Sequence, residues 1–323
     1  MDVVCLGEAL IDMVSLESGV GVAESSGFLK APGGAPANVA AAVAKLGGSS
    51  AFLGKVGDDP FGHFLCDTFS QAGVNVSGMR FDPYVRTGLA FVSLQQNGER
   101  DFCFFRNPSA DMLYQPNEVD SDLIRKGRIF HFGSITMIEE PSKSATLAAI
   151  EIARDSGAIL SFDPNLRLPL WKGEDVARKT IIEALPLTDI LKISDEELLF
   201  LTGVNDETRG VKHLRQHAPN IQLIVVTKGR SGCYWEASDS LRGYVDGYQV
   251  LSVDTTGAGD GFVGGMLIEL LHAIDIHGGF TNLSHGDFER IFGYANRVGA
   301  LTTTRKGAIT SLPNHEDVMV LTH

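Results

Sequence analysis

Short apolar runs and longer amphipathic stretches alternate along most of the chain. Runs rich in β-branched and aromatic residues occupy 3–7, 50–56, 129–133, 158–163, 190–194 and 223–227. Their brevity and near-continuous hydrophobicity mark strands buried on both faces. Between them, apolar residues recur every third or fourth position over 37–46, 61–72, 142–156, 176–184, 195–202, 210–216, 259–271 and 287–302, the period of a helix with one buried stripe. This steady succession of strand and helix predicts an α/β fold, a mostly parallel sheet covered by helices on both sides.

One segment breaks the rhythm. The β-rich stretches 87–95 (TGLAFVSLQ) and 99–106 (ERDFCFFR) flank Gln96-Asn97-Gly98, and Asn-Gly between two such runs predicts a hairpin because both turn positions want φ > 0. Leu89, Phe91 and Ser93 fall on one face and Ala90, Val92 and Leu94 on the other, so each face is partly apolar and needs a cover. An antiparallel hairpin inside an α/β chain reads as an appendage, either a lid or a contact between two copies. No repeat or low-complexity linker interrupts the chain, which predicts one main domain over 1–323 with a small inserted sheet.

Composition changes this picture in only a few ways. The 323 residues suffice for a large core, and the net charge of −13 at pH 7 disfavours a nucleic-acid partner, whose phosphates carboxylates repel. A phosphate-bearing ligand is repelled as well, so a site for one must supply local positive potential from helix N-termini or Mg²⁺. Cys5, Cys66, Cys103 and Cys233 stand singly, with no pair at metal or redox spacing, as reduced thiols of the cytoplasm do. The run Val3-Val4-Cys5-Leu6-Gly7, flanked by Asp2 and Glu8, is too short and too acidic at its edges for a signal segment. No apolar stretch approaches the length of a membrane span.

The most informative segment runs from Val253 to Gly265, VDTTGAGDGFVGG. Small residues at Gly257, Ala258 and Gly259 let backbone N–H groups converge at a helix start, a geometry that stabilises an anion. Asp260 follows at the mouth of that hole, where a carboxylate can take the proton from an attacking hydroxyl. The competing reading is a tight turn with Asp260 as a helix cap. The usual nucleotide signatures are missing: there is no G-x-x-x-x-G-K-[ST], and Phe262 stands where G-x-G-x-x-G needs its third glycine.

DTTGAGDGFVGG at 254–265 resembles the C-terminal signature of the ribokinase-like (PfkB) carbohydrate kinases, and Pro32-Gly33-Gly34-Ala35-Pro36-Ala37-Asn38-Val39-Ala40 resembles their N-terminal signature. The similarity runs nearly end to end through GEALIDM (7–13), GKVGDDPFG (54–62), RNPSADML (106–113), FDPNLRLPLW (162–171) and TRKGAITSLP (304–313), all similar to fructokinases of that family. The resemblance implies a three-layer sandwich with a mostly parallel central sheet and a β lid from segments near 12–32 and 86–107. It also implies transfer of phosphate from ATP, with Mg²⁺, to a small sugar: D-fructose first, with 2-keto-3-deoxygluconate or ribose as alternatives. A catalytically silent relative is the rival of another class.

Site residues carry over by matching position. Asp260 resembles the family's base, and the backbone of Gly257, Ala258 and Gly259 its anion hole. Asp12, Gly33, Gly34, Asn38, Arg106 and Arg167 match sugar-binding positions. For Asp12 helix capping competes, for the glycines a plain turn, and for the arginines a salt bridge to a neighbouring aspartate. Thr227, Gly229, Gly232 and Asn296 match nucleotide positions. The Asn-x-x-Glu motif of the family appears as Ser194-Asp195-Glu196-Glu197; Glu197 keeps the acidic end while Ser194 replaces Asn. As a charge run, those residues also read as a solvated first helical turn. Gly261 is a second departure, without chemical loss. Asp254, Thr256, Thr302, Arg305, Gly307 and Ser311 match a K⁺ site built from backbone carbonyls.

Other features carry less. His213 and His217 share a helical face without the glutamate of a zinc motif. Asp58-Asp59 reads as an acidic turn, and Glu139-Glu140 as a helix start.

Overall fold

The computed structural model describes residues 1–94 and 100–321; the Gln96-Asn97-Gly98 turn lies outside them. In chain order the strands are β1 (Val3–Leu6), β2 (Leu10–Ser18), β3 (Phe28–Gly33), β4 (Ser50–Gly57), β5 (Met79–Asp82), β6 (Gly88–Leu94), β7 (Arg100–Phe105), β8 (Ile129–Phe132), β9 (Ile159–Phe162), β10 (Ile190–Ser194), β11 (Leu223–Thr227), β12 (Cys233–Ser238) and β13 (Leu241–Val245). The helices are α1 (Ala35–Lys45), α2 (Pro60–Gln71), α3 (Ser121–Ile124), α4 (Ser142–Asp155), α5 (Glu174–Ala184), α6 (Asp195–Thr202), α7 (Glu207–His217), α8 (Ala258–His277), α9 (His285–Thr302) and α10 (His315–Val320).

The large sheet has the order β13-β12-β11-β10-β9-β8-β1-β4-β5. It is parallel except where β12 pairs antiparallel with β11 and β13. Each central strand feeds alternate side chains to opposite layers, as the pleat requires. Val3 and Cys5 pack with the α1, α8 and α9 residues Ala41, Leu267 and Phe292, while Val4 and Leu6 pack with the α4 and α5 residues Ala149 and Ile181. The six strands expected from hydrophobicity are all present, with ends within about two residues. The sequence reading did not resolve β5, β12, β13, α3 and α10, and it gave β2 and β3 only as a lid segment near 12–32.

The second sheet has the order β3-β2-β6-β7, with β2 and β6 parallel and the outer pairs antiparallel. The expected hairpin is therefore β6 and β7, and β2 and β3 complete the lid. Asp59 ties this lid to the body. It N-caps α2 through Phe61 N and Gly62 N, and it also accepts from Thr87 N at 2.8 Å, one residue before β6. The Asp58-Asp59 pair is thus split, with Asp58 exposed against His63 and Asp59 buried as a cap. His213 and His217 stack on one another at 5.6 Å.

From Gly261 to Leu271 helix α8 is buried on all sides, so it needs close neighbours. Its glycines provide the room: a Cβ on Gly264 would stand 2.5 Å from Ala42 Cβ of α1, and one on Gly265 would stand 2.9 Å from Val298 of α9. A Cβ on Gly261 would stand 2.7 Å from Thr302 Oγ1. Among the described residues no helix is long and apolar enough to cross a membrane.

Candidate active site

The parallel strands β1, β4, β8, β9, β10 and β11 end on one edge, where an α/β sheet leaves its crevice. Four polar residues follow or close those strands: Glu8 after β1, Asp163 after β9, Ser194 in β10 and Thr227 in β11.

Between β3 and α1 the chain turns at Gly34, with φ of 117°. A Cβ there would stand 2.3 Å from Glu8 O, so only glycine fits. Glu8 Oε1 then accepts from Ala35 N at 2.9 Å. Burial pushes the Glu8 carboxyl up to about 7. Gly33 plays a similar part toward Asp12, whose Oδ2 would lie 2.5 Å from an added Cβ. Asp12 belongs to β2, paired with Ala31; it caps no helix.

One turn into α1, Asn38 Nδ2 donates to Asp260 Oδ2 at 2.8 Å. Asn38 Oδ1 is buried without a protein partner, an acceptor that a ligand hydroxyl would satisfy. Asp260 is the third residue of α8, and no side chain caps that helix. The capping alternative is therefore not realised, because the carboxylate faces Asn38 rather than its own helix amides. Gly257 opens α8 in the left-handed region, with φ of 77°, and a Cβ on it would stand 2.7 Å from Ala308 Cβ. The amides of the 257–259 turn thus start the helix beside a buried carboxylate.

The charge around Asp260 is finely divided. Burial raises its carboxyl to about 6; the Asn38 hydrogen bond opposes this, Asp163 adds to it, and Lys192 and Arg167 oppose it. Lys192 pairs with Asp163 Oδ2 at 2.9 Å, both side chains buried. Burial disfavours the Lys192 ammonium, yet Asp163 and Glu197 hold its pKa above the ordinary value, so it stays charged. It sits under the turn, 3.4 Å from where a Gly259 Cβ would be. Asn165, held at a positive φ of 45°, points its amide at Asp260 Oδ1 from 3.5 Å.

Lys192, Asp163, Asn165 and Glu8 were not picked out from the sequence. A lysine inside the otherwise apolar run ILKIS was the available signal, since a lone charge in a doubly buried strand needs a partner. The other three lie in the blocks FDPNLRLPLW and GEALIDM without an assigned role.

Glu197 corrects the solvated-turn reading. Asp195 and Glu196 are exposed, but Glu197 is buried. Its two oxygens accept from Leu166 N and Ser194 N, each at 2.7 Å, while Ser194 Oγ accepts from Glu197 N at 3.1 Å. This capping box uses the Ser194 hydroxyl as a helix cap. Nearby, Thr227 Oγ1 donates to Ile193 O at 3.3 Å, and Gly229 and Gly232 adopt φ of 53° and 96°. Asn296 Nδ2 donates to Val245 O and Asp246 O, both at 3.1 Å; it fixes the segment after β13, beside a cavity of about 270 Å³ lined by Tyr244, Tyr248 and Glu289.

The anion turn is braced from behind. Asp254 Oδ1 accepts from Thr256 N at 3.0 Å and Oδ2 from Gly307 N at 2.9 Å. Thr302 Oγ1 donates to Val298 O, Ser311 Oγ to Gly307 O and Ala308 O, and Arg305 is exposed. Among the described residues no group of three or more His, Cys, Asp or Glu side chains is placed to hold a metal.

The two arginines part company. Arg167 is exposed, its Nη1 on Leu166 O at 3.1 Å, and close enough to act on Asp260. Arg106 is buried in an ion pair with Asp111, the salt-bridge reading of that residue. It also lines a cavity of about 280 Å³ between β7 and the segments carrying Ile135, Glu139 and Pro169.

Comparison with known proteins agrees with this architecture. Residues 1–315 match the family described as pfkB family carbohydrate kinase. A protein named probable fructokinase-4 from Arabidopsis thaliana is 48% identical over 322 residues, 99% of this chain and 96% of its own. The crystal structure of a fructokinase from Xylella fastidiosa with bound ATP superposes with a TM-score of 0.87 at 35% identity, covering 98% of this chain and 97% of that one. A fructokinase double mutant from Vibrio cholerae O395, bound to fructose, ADP and a potassium ion, superposes at 0.86 with 38% identity over 99% and 97%. The chain therefore belongs to the pfkB family of carbohydrate kinases.

Proposed function

We propose that this chain transfers the terminal phosphate of ATP to the hydroxymethyl hydroxyl of D-fructose, giving fructose 6-phosphate and ADP. The observation that carries the reading is the buried Asp260 carboxyl, 2.8 Å from Asn38 Nδ2 and three residues past the left-handed Gly257 turn. A proton acceptor and a set of backbone donors stand within one helical turn of each other, as phosphoryl transfer to an alcohol requires.

In this reading the fructose hydroxyl attacks the γ-phosphorus in line, its proton passes to Asp260, and ADP leaves. The amides of Gly257, Ala258 and Gly259 receive the negative charge of the transferring group. Lys192, fixed by Asp163, adds positive potential beneath that turn. Asp12, Gly33, Gly34, Asn38, Arg106 and Arg167 surround the sugar, and the unpartnered Asn38 Oδ1 suits one of its hydroxyls. ATP lies along the strand-end crevice, with Thr227, Gly229 and Gly232 near it and Asn296 shaping its wall. Magnesium bound with ATP would neutralise part of the phosphate charge. Glu197, anchored by two backbone amides, retains lone pairs for a water of that ion's shell, with Ser194 holding the helix start. The carbonyls of Asp254, Thr256, Thr302, Arg305, Gly307 and Ser311 would supply the oxygens for a K⁺ ion. A monovalent ion bound there adds positive charge behind the turn.

The lid sheet closes over the sugar and keeps water from the phosphate. Val14, Leu16 and Leu29 share a face of it, Leu16 at 66% and Leu29 at 60% exposure, so we assign that face to a second copy in a homodimer. We read the whole chain, 1–323, as one functional domain, and place it in the cytoplasm on its buried free thiols Cys5 and Cys233.

Coupled ADP release, measured over a panel of sugars with Mg·ATP and with or without K⁺, tests the reading. Fructose should stimulate release well above the background ATPase; stimulation by none of the sugars would remove the proposal.

A further inference from the structure

We propose that Asp111 sets the acceptor specificity of this site: by neutralising Arg106, it makes the sugar pocket receptive to an uncharged ketose and closed to a sugar acid. The inference rests on the kinase reading above and narrows its substrate class.

Arg106 directly follows β7, and its guanidinium Nη2 is ion-paired with Asp111, whose side chain is only 1% exposed. Ser109 Oγ donates to the other Asp111 oxygen, so both carboxylate oxygens are engaged and the group is held in place. Burial disfavours the Arg106 charge, but Asp111, with a smaller contribution from Glu8, more than restores it. Glu8 is itself buried, close enough for Arg106 and Asp111 to act on its carboxyl. The guanidinium is therefore permanently charged and already matched by carboxylates from the chain.

Arg106 nonetheless keeps a buried donor without a protein partner, its Nε, and the residue lines the 280 Å³ cavity with Phe104, Asn107, Ile135, Glu139 and Ser142. A cavity of that size holds a hexose. A neutral hydroxyl or carbonyl oxygen satisfies a lone N–H donor without asking for net charge. A carboxylate asks for more. To gain the bidentate grip that makes arginine an acid receptor, it would have to share Nη2 with Asp111, bringing a second carboxylate against the one already there. It would also meet Glu139 on the pocket wall, held by Lys172 at 2.8 Å. Arg167 offers a second guanidinium, but it is exposed, where water and salt weaken its pull. A guanidinium beside a sugar pocket could serve an acid, and its buried carboxylate partner turns it toward a neutral ligand.

The matched probes are fructose and 2-ketogluconate, which differ by a carboxylate in place of one terminal hydroxymethyl group. With Mg·ATP, kcat/KM of the wild type should favour fructose by at least ~100-fold. In Asp111→Asn, shown to be folded by circular dichroism, that ratio should shrink at least ~10-fold, with an absolute gain on the acid. A wild type that uses both within a factor of ~10, or a folded Asp111→Asn with an unchanged ratio, overturns the proposal. Should Asp111→Asn not fold, inhibition of wild-type fructose turnover decides: 2-ketogluconate must compete far more weakly than the neutral ketose sorbose, and equal competition sinks the idea. If the wild type phosphorylates neither probe, the kinase reading fails, and thermal-shift titration of the wild type with each sugar still reads the charge preference.

Discussion

Asn38 Nδ2 donates to Asp260 Oδ2 at 2.8 Å across 222 residues of sequence, joining the first turn of α1 to the first turn of α8. The two helices pack where Gly264 meets Ala42, so the glycine that lets them touch also brings the two functional residues together. The bond also tunes the acid, since it stabilises the charged carboxylate against a burial that raises its pKa to about 6.

Asp260→Asn should reduce kcat with fructose by about 10²- to 10⁴-fold, the usual worth of a general base. KM for fructose should change little, because the neighbouring sugar contacts remain. Steady-state kinetics on a folded variant checks both, and near-normal kcat removes Asp260 from the proton-accepting role.

The same variant should be more stable than the wild type above neutral pH. A carboxyl raised from 3.8 to about 6 in the fold binds its proton more tightly folded than unfolded. Stability therefore falls as pH rises through that window and stays lower above it, by at most about 3 kcal/mol. Thermal melts at pH 8 should show Asp260→Asn melting higher, with the difference vanishing below pH 4. A lower Tm at pH 8 contradicts this reading of the burial.

The pH profile of kcat/KM should rise through about 6 and level off, since the base must be ionised. Asn38→Ala removes a hydrogen bond that lowers that pKa, so its profile should move toward alkaline pH. A shift toward acid, or none, would mean that another group controls the rate.

Gly257→Ala places a side chain at φ of 77° with its Cβ 2.7 Å from that of Ala308. The left-handed conformation alone costs about 1–2 kcal/mol. Tm and kcat should both fall while the fructose KM holds, because the turn belongs to the phosphate side of the site. Unchanged kcat would leave the turn without a part in the chemistry.

The lid face carrying Leu16 and Leu29 predicts a concentration-dependent dimer. Leu29→Glu, at a position 60% exposed in one copy, should leave the fold intact and shift sedimentation toward the monomer. Identical sedimentation of both proteins would assign the contact, if any, to another surface.

Much of the fold is legible in the chain because buried parallel strands need unbroken apolar runs. Leu223–Thr227 and Ile190–Ser194 were readable to the residue. The edge strand β13 was not, since exposed positions such as Tyr244 interrupt its pattern and only pairing with β12 explains it. The lid strand β2 was hidden for a similar reason: Asp12, Ser15 and Glu17 break its hydrophobicity, and its order comes from β3 and β6 on either side.

The sequence by itself determined the order of strands and helices, the glycine turn before Asp260 and the family to which the chain belongs. Each of these depends on neighbours along the backbone, where periodicity and conformational freedom act locally. What Asp260 and Arg106 face was decided only by tertiary structure. Burial, Asn38, Asp163 and Lys192 set the proton affinity of the first, and Asp111 with Glu8 sets the charge balance of the second. Electrostatic effects depend on distance through a poorly polarisable interior, and residues far apart in the chain become near neighbours only once the helices and sheets have packed.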